Sequence, residues 1–210
     1  MVYSDRAAAG RALGKRLSYL HASNPLVLGL PRGGVPVAAA VRAVIGGDLD
    51  ILLVRKLGVP WQPELAVGAI GEDGGRVINA DVLAHTGLSR DRLAEIEAAE
   101  RIELERRRTA WRGDAEPIPL GGRTVVIVDD GMATGATVLV ACRVARLKMP
   151  KQLIVAVPVA SAEAMDRIAL EADEVVCPLI PPDLGGVGNA YRDFHQLVDH
   201  EVTDLLGAAP

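Results

Sequence analysis

The chain has 210 residues, 50% of them hydrophobic and 24% charged, with a formal net charge of −4. That length suits one sizeable core with a smaller appendage, and the acidic balance argues against a general nucleic-acid binder. No apolar run approaches the roughly 20 residues that span a bilayer, the opening MVYSDRAAAG lacks the apolar segment of a signal peptide, and two cysteines are too few for a four-cysteine zinc site.

Aromatics make up only 3% of the chain, with a single Phe, so the core must be built from Val, Leu, Ile and Ala. In chain order, residues 4–20 read as a helix and LVLGL (26–30) as a strand. A glycine turn follows, then a small-residue helix over 35–44. DILLVRK (50–56) is a second strand that ends in two basic residues. The stretch 57–75 is rich in Gly, Pro and polar residues and reads as a mobile loop or flap. Within it AVGAI forms a short strand, and RVIN (76–79) pairs with that strand as a hairpin. Trp61, Glu64 and Glu72 lie in this stretch without an assignable role.

Residues 89–112 are charged and free of Gly and Pro, which predicts a long helix capped by Ser89, with Glu97–Arg101 and Glu103–Arg107 at i,i+4 spacing. The three arginines at 106–108 offer either a phosphate-binding patch or a solvated helix end, where cations suit the dipole, and the second reading is preferred. GRTVVIVDD then gives a buried strand, followed by a helix over 136–148, the strand QLIVAVPV, a helix over 161–171 and the strand DEVVCPLI. The tail opens on proline and glycine and ends as a helix. Alternating strands and helices predict a mostly parallel sheet with helices on both faces, hence an α/β fold. Ligands of such sheets sit at the carboxyl ends of the strands. Cys142 and Cys177 read as buried structural thiols.

The chemistry concentrates in TVVIVDDGMATGAT (124–137). A strand buried on both faces runs into Asp129 and Asp130, two adjacent acids that need solvent, cations or hydrogen-bond donors. The following Gly131, Met132, Ala133, Thr134, Gly135, Ala136 and Thr137 are small and rich in backbone N–H groups and hydroxyls, and they open a helix. Such a loop cradles an anion through its amides and the helix N-terminus. The Walker lysine is absent, and GLPRGG is not a G-x-G-x-x-G fingerprint. A phosphate monoester fits the loop and a vicinal diol fits the acids. Together they describe a ribose 5-phosphate.

VVIVDDGMATGAT resembles the phosphoribosyl pyrophosphate (PRPP) signature of type I phosphoribosyltransferases. LGLPRGGVPVA (28–38) is similar to that family's pyrophosphate loop, and LPRGGVPVA with PELAVGAIGEDG looks closest to a subgroup whose acceptor is unassigned. The resemblance implies one phosphoribosyltransferase domain over 1–210, with a charged helical insert at about 80–113 and an acceptor-binding hood over about 178–210. It implies transfer of the phosphoribosyl group from PRPP to a small nitrogenous acceptor with release of pyrophosphate, dependent on Mg²⁺. Asp129 and Asp130 would fix the ribose, with Asp129 and Asp193 as candidate metal ligands. Pro31, Arg32, Gly33 and Gly34 would hold the diphosphate, with a cis Pro31–Arg32 bond and Arg32 assisting departure. Lys56 would add charge at the same sheet edge, and the 57–75 stretch would stand where the family's closing loop stands. Tyr191 and Phe194 would stack on the acceptor ring, and His195 falls near that pocket.

One departure matters. The 6-oxopurine enzymes carry a lysine near the end of the next-to-last strand, where this chain has Pro158 and Val159, which speaks against hypoxanthine or guanine. The rival reading is a non-catalytic PRPP-binding regulator. The remaining expectations are a cytoplasmic protein, a homodimer by resemblance, and neither nucleic acid nor membrane as partner.

Overall fold

The computed structural model describes residues 2–207, except the side chains of Pro63 and Glu64. Five strands form a parallel sheet in the order β2-β1-β6-β7-β8: β1 (Leu26–Gly29), β2 (Asp48–Ile51), β6 (Thr124–Val128), β7 (Gln152–Ala156) and β8 (Glu174–Val176). Side chains alternate between the two faces of a strand, and both faces are covered here. Val125 and Ile127 join Leu26, Leu28, Leu153 and Val155 under α5 (Ala136–Arg146) and α6 (Ala162–Ile168). Val126 and Val128 join Val27, Ile154 and Ala156 under α1 (Arg6–Arg16) and α2 (Gly34–Ile45). The α/β architecture with helices on both faces is the one expected.

Three elements differ from the sequence reading. The first helix ends at Arg16, and residues Ser18–Ser23 continue as a 3-10 helix. The strand expected over 50–56 is split: β2 ends at Ile51, and Val54–Val59 starts a separate strand, β3. The stretch expected as a flap is largely an antiparallel sheet. β3 pairs with the ten-residue β4 (Gln62–Gly71), which pairs in turn with β5 (Arg76–Ile78) as the predicted hairpin. A register irregularity at Gly58 marks the approach to its turn. The reason is burial. Leu57, Val59, Val67 and Ile70 are buried, and they pack as one layer against the insert helix.

That insert contains α3 (Ala80–Thr86) and α4 (Arg90–Trp111). Ser89 caps α4 by accepting from the Arg92 amide, and Arg101–Glu97 and Arg107–Glu103 pair at i,i+4 as the spacing required. Charged almost all round, α4 buries only Leu93, Leu104 and Trp111. Its C-terminal end is fixed by a buried ionic network. Arg112 donates to Asp50 at 2.6 Å and to Glu72 at 3.0 Å, and its second terminal nitrogen donates to the Ile51 carbonyl. Burial pushes the Glu72 carboxyl up despite the Arg112 guanidinium. Three remote parts of the chain are thus tied behind β2.

The tail expected as a hood over about 178–210 contains a 3-10 turn at Val187–Ala190 and α7 (Asp199–Gly207), which returns to pack on α2 and α4. Cys142 is buried, which pushes its thiol to about 12, and Cys177 is half-buried. No described helix is long and apolar enough to cross a membrane.

Candidate active site

The sheet order reverses between β1 and β6, and both Gly-rich turns open there, at the carboxyl edge. The first turn runs from Leu30 into α2. The Pro31–Arg32 peptide is cis, Leu30 is tied to the Val128 carbonyl, and Gly34 donates to the Leu30 carbonyl. Among the described residues, the amides of Arg32 and Gly33 have no acceptor. The turn lies hard against the acidic pair: a Cβ on Gly33 would run into Oδ2 of Asp130. Only a glycine lets the backbone come that close.

The second turn follows Asp129 and Asp130. Met132 anchors it, with its side chain in the core, its amide donating to the Val159 carbonyl and its carbonyl accepting from Ser161. This corrects its place among the anion-binding residues, because that N–H is already spent on the protein. Ala133 and Thr134 are exposed, and no described acceptor meets the amides of Ala133, Thr134 and Gly135. Ser161 and Arg167 brace the loop from α6 by donating to the Ala133 and Thr134 carbonyls. Gly135 holds φ +72 at the N-cap of α5, a conformation that glycine adopts without strain. Ala136 and Thr137 open the helix at the same loop, where the Ala136 amide donates to Thr134 Oγ1 at 3.3 Å. Two amide cradles therefore bracket one acidic pair.

Asp129 and Asp130 are both only partly exposed. Burial pushes the Asp129 carboxyl well up, and the neighbouring Asp130 charge adds to it. Burial also raises Asp130, opposed by Arg6. Such a pair favours cations or hydroxyl donors beside it. In the structure that cation is Arg6, whose Nε lies 2.9 Å from Asp130 Oδ2 and whose Nη1 donates to the His195 carbonyl. Its guanidinium stacks over Phe194 at 3.9 Å. Arg6 was not legible as a site residue: nothing in SDRAAAG sets it apart from a solvated helix start.

The aromatics divide. Tyr191 is buried, donates to the Asp130 carbonyl at 2.6 Å and packs between Tyr3 and Phe194. As it stands, Tyr191 supports the acidic pair from beneath and offers no free face to an acceptor, which revises the stacking expected of it. Phe194 is exposed and lines the cleft. Asp193 accepts from the His195 amide and pairs with its ring, and Glu201 holds the other ring nitrogen. Among the described residues, no three His, Cys, Asp or Glu converge as a metal site.

A cleft of about 540 Å³ opens over Asp130 and the first turn, between the hood and α4. A second, of about 500 Å³, continues from Pro31 and Thr137 under β3 and shares Arg107 and Trp111 with the first. Lys56 lines this second cleft from within β3. It does not end a strand of the main sheet, because the chain leaves that sheet after Ile51. Arg55 pairs with Glu100 on α4. Trp111 joins the parts: its indole donates to Asp199, which pairs with Arg32, and the Arg32 and Arg107 guanidiniums flank its ring at 6.0 and 5.6 Å. Trp111 and Arg107 were missed as cleft residues. The available signal was the spacing of Leu93, Leu104 and Trp111, which gives the charged helix one buried edge.

The phosphoribosyl transferase domain model matches residues 4–188. Relatives from two Mycobacterium tuberculosis strains, each named "Putative phosphoribosyl transferase", are 49% identical over 208 residues, which is 99% of this chain and 47% of theirs. The chain thus spans about half the length of the curated relatives it matches. The crystal structure of TT1426 from Thermus thermophilus superposes with a TM-score of 0.88 at 42% identity, over 98% of both chains. With the family match spanning the sheet, both turns and the acidic pair, the chain belongs to the phosphoribosyl transferase domain family.

Proposed function

We propose that this chain transfers the 5-phosphoribosyl group of PRPP to a nitrogen acceptor and releases pyrophosphate. One observation carries the reading: two loops with unpaired amides, each opening a helix, flank a single acidic pair at the switch point of the sheet. The 131–137 loop holds the 5-phosphate through the Ala133, Thr134 and Gly135 amides and the start of α5. Asp129 and Asp130 accept from the ribose hydroxyls, each such bond being worth roughly 1.5–3 kcal/mol. For Asp130 this means exchanging or sharing its bond with Arg6. The Arg32 and Gly33 amides and the Arg32 side chain take the diphosphate.

As the C1–O bond breaks, the departing pyrophosphate keeps the bonding pair and positive charge builds at C1, while the acceptor nitrogen's lone pair forms the C1–N bond. The amides and Arg32 stabilise the growing negative charge in place, without reorganising. The β3–β4 hairpin, whose Pro60 lines the second cleft, keeps water from competing as acceptor. Carboxylate oxygens at the cleft floor are the hard donors that Mg²⁺ takes, and Mg²⁺ is ordinarily held by one or two carboxylates together with substrate phosphates. Asp130, which lines the cleft, fits that role with Asp129 beside it in the chain, whereas Asp193 is engaged by His195. Bound there, the ion would neutralise charge on the diphosphate.

The test is pyrophosphate release from PRPP with Mg²⁺ across purine, pyrimidine, pyridine and simple amine acceptors. Acceptor-dependent release is expected. Binding of PRPP without release from any acceptor would instead favour the regulator reading.

A further inference from the structure

We infer that the acceptor carries a negative charge of its own, a carboxylate or phosphate apart from the reacting nitrogen, and that Arg107 and Arg106 of the insert helix read it. This rests on the transferase reading above. The arginine run that reads as a solvated helix end in the sequence is divided in the structure. Arg108 turns back to Glu105 and the Gly113 carbonyl, whereas Arg106 and Arg107 line the cleft over Asp130.

Four guanidiniums reach that cleft, from Arg6, Arg32, Arg106 and Arg107, against one lining carboxylate, Asp130. The partners that hold three of them stand behind the wall. Asp199 pairs with Arg32, and the single Glu103 serves both Arg106 and Arg107, yet neither acid lines the cleft. The cleft face is therefore cationic by arrangement, and its low-dielectric walls concentrate that potential on whatever enters.

The donor's own anions are already provided for. The 131–137 cradle takes one phosphate, and the first turn with Arg32 takes the diphosphate. Arg106 and Arg107 come from a different helix, on the wall facing Phe194 and the hood. A neutral heterocycle would add nothing to the two guanidiniums that share the single Glu103, whereas an acid would meet a fork of matching geometry beside the Phe194 edge. In the reaction the charged group stays bound. The nitrogen's lone pair forms the C1–N bond, pyrophosphate leaves with the pair from C1–O, and any proton on that nitrogen passes to water.

The experiment uses the PRPP-loaded protein with Mg²⁺ and two matched pairs of probes: pyridine-3-carboxylate against its carboxamide, and uracil-6-carboxylate against uracil. Binding is read by calorimetry and turnover by pyrophosphate release. An acid is expected to bind at least about tenfold more tightly than its neutral partner. Arg107→Gln is expected to erase that preference while leaving PRPP affinity in place, with Arg106→Gln as the second variant and the melting temperature as the check on folding. Equal binding of acid and neutral probe, or no binding of either acid, overturns the inference. So does a loss of PRPP affinity in Arg107→Gln, which would assign the guanidinium to the donor. Failure of the wild type to bind PRPP at all is a separate result, and it strikes the transferase reading itself.

Discussion

Replacing Arg112 with alanine is expected to lower the stability of the fold by about 3–5 kcal/mol. Its side chain is 5% exposed and answers two carboxylates, Asp50 and Glu72, that are 9% and 8% exposed. Without it both acids stay buried beside each other with no cation, and Asp50 keeps only the Ile51 and Ile118 amides. Urea denaturation of the two proteins measures the difference. Substituting Met at 112 together with Asp50→Asn and Glu72→Gln should recover much of the loss, because no unpaired charge then remains. A cost under about 1 kcal/mol for the single variant would mean that the network is solvated and that the insert is held by α4 packing alone.

The second large effect falls on catalysis. Gly33→Ala should lower kcat/KM for PRPP by about 10²-fold, the scale expected when a binding group is displaced by about an ångström. The added methyl collides with the Asp130 carboxylate, which must swing away from both the ribose position and Arg6. Only a side chain has to move, so the fold should persist, with a denaturation midpoint lowered by the loss of the Arg6–Asp130 pair and far less affected than turnover. Steady-state kinetics alongside a melting curve separate the two effects. Near-normal turnover would show that Asp130 has room to serve from another rotamer and that the tight approach of the turn has no catalytic role.

How far the sequence could be read depended on whether a feature was local. The strands of the parallel sheet were legible because burial on both faces forces continuous apolar runs such as VVIV. The turn residues were legible because acids and glycines placed between such a run and a helix have few structural uses. Ser89 and the i,i+4 pairs of α4 were legible for the same local reason. The split of 50–56 into two sheets was not, since DILLVRK reads as one apolar run and only the register with β1 ends β2 at Ile51. The antiparallel sheet over 54–78 was obscured by its glycines and prolines, which resemble loop composition although Val67, Ala69 and Ile70 are buried.

The site shows the same division. The two cradles and the acidic pair each rest on a short contiguous run of sequence. Arg6 and Trp111 reach the cleft from two distant helices, with Asp199 of a third holding Trp111 and Arg32 from behind, and these contacts exist only once the helices pack. The 106–108 run shows the limit most clearly. Three identical side chains in a row take two different destinations, decided by which side of α4 faces the cleft.

The assignment of the acidic pair to PRPP is tested most directly by calorimetric titration of PRPP, with Mg²⁺, into the wild-type chain and into Asp130→Asn. One PRPP per chain is expected for the wild type. The variant is expected to bind about tenfold or more weakly, since a hydrogen bond to a charged group is worth roughly 1.5–3 kcal/mol. It should still fold cooperatively, with a lowered melting temperature because the buried Arg6 loses its counter-charge, and the affinity is compared at a temperature where both proteins are folded. A wild-type chain that takes up no PRPP, or a variant that binds it equally well, would contradict the assignment of the acidic pair and its two flanking cradles to this ligand.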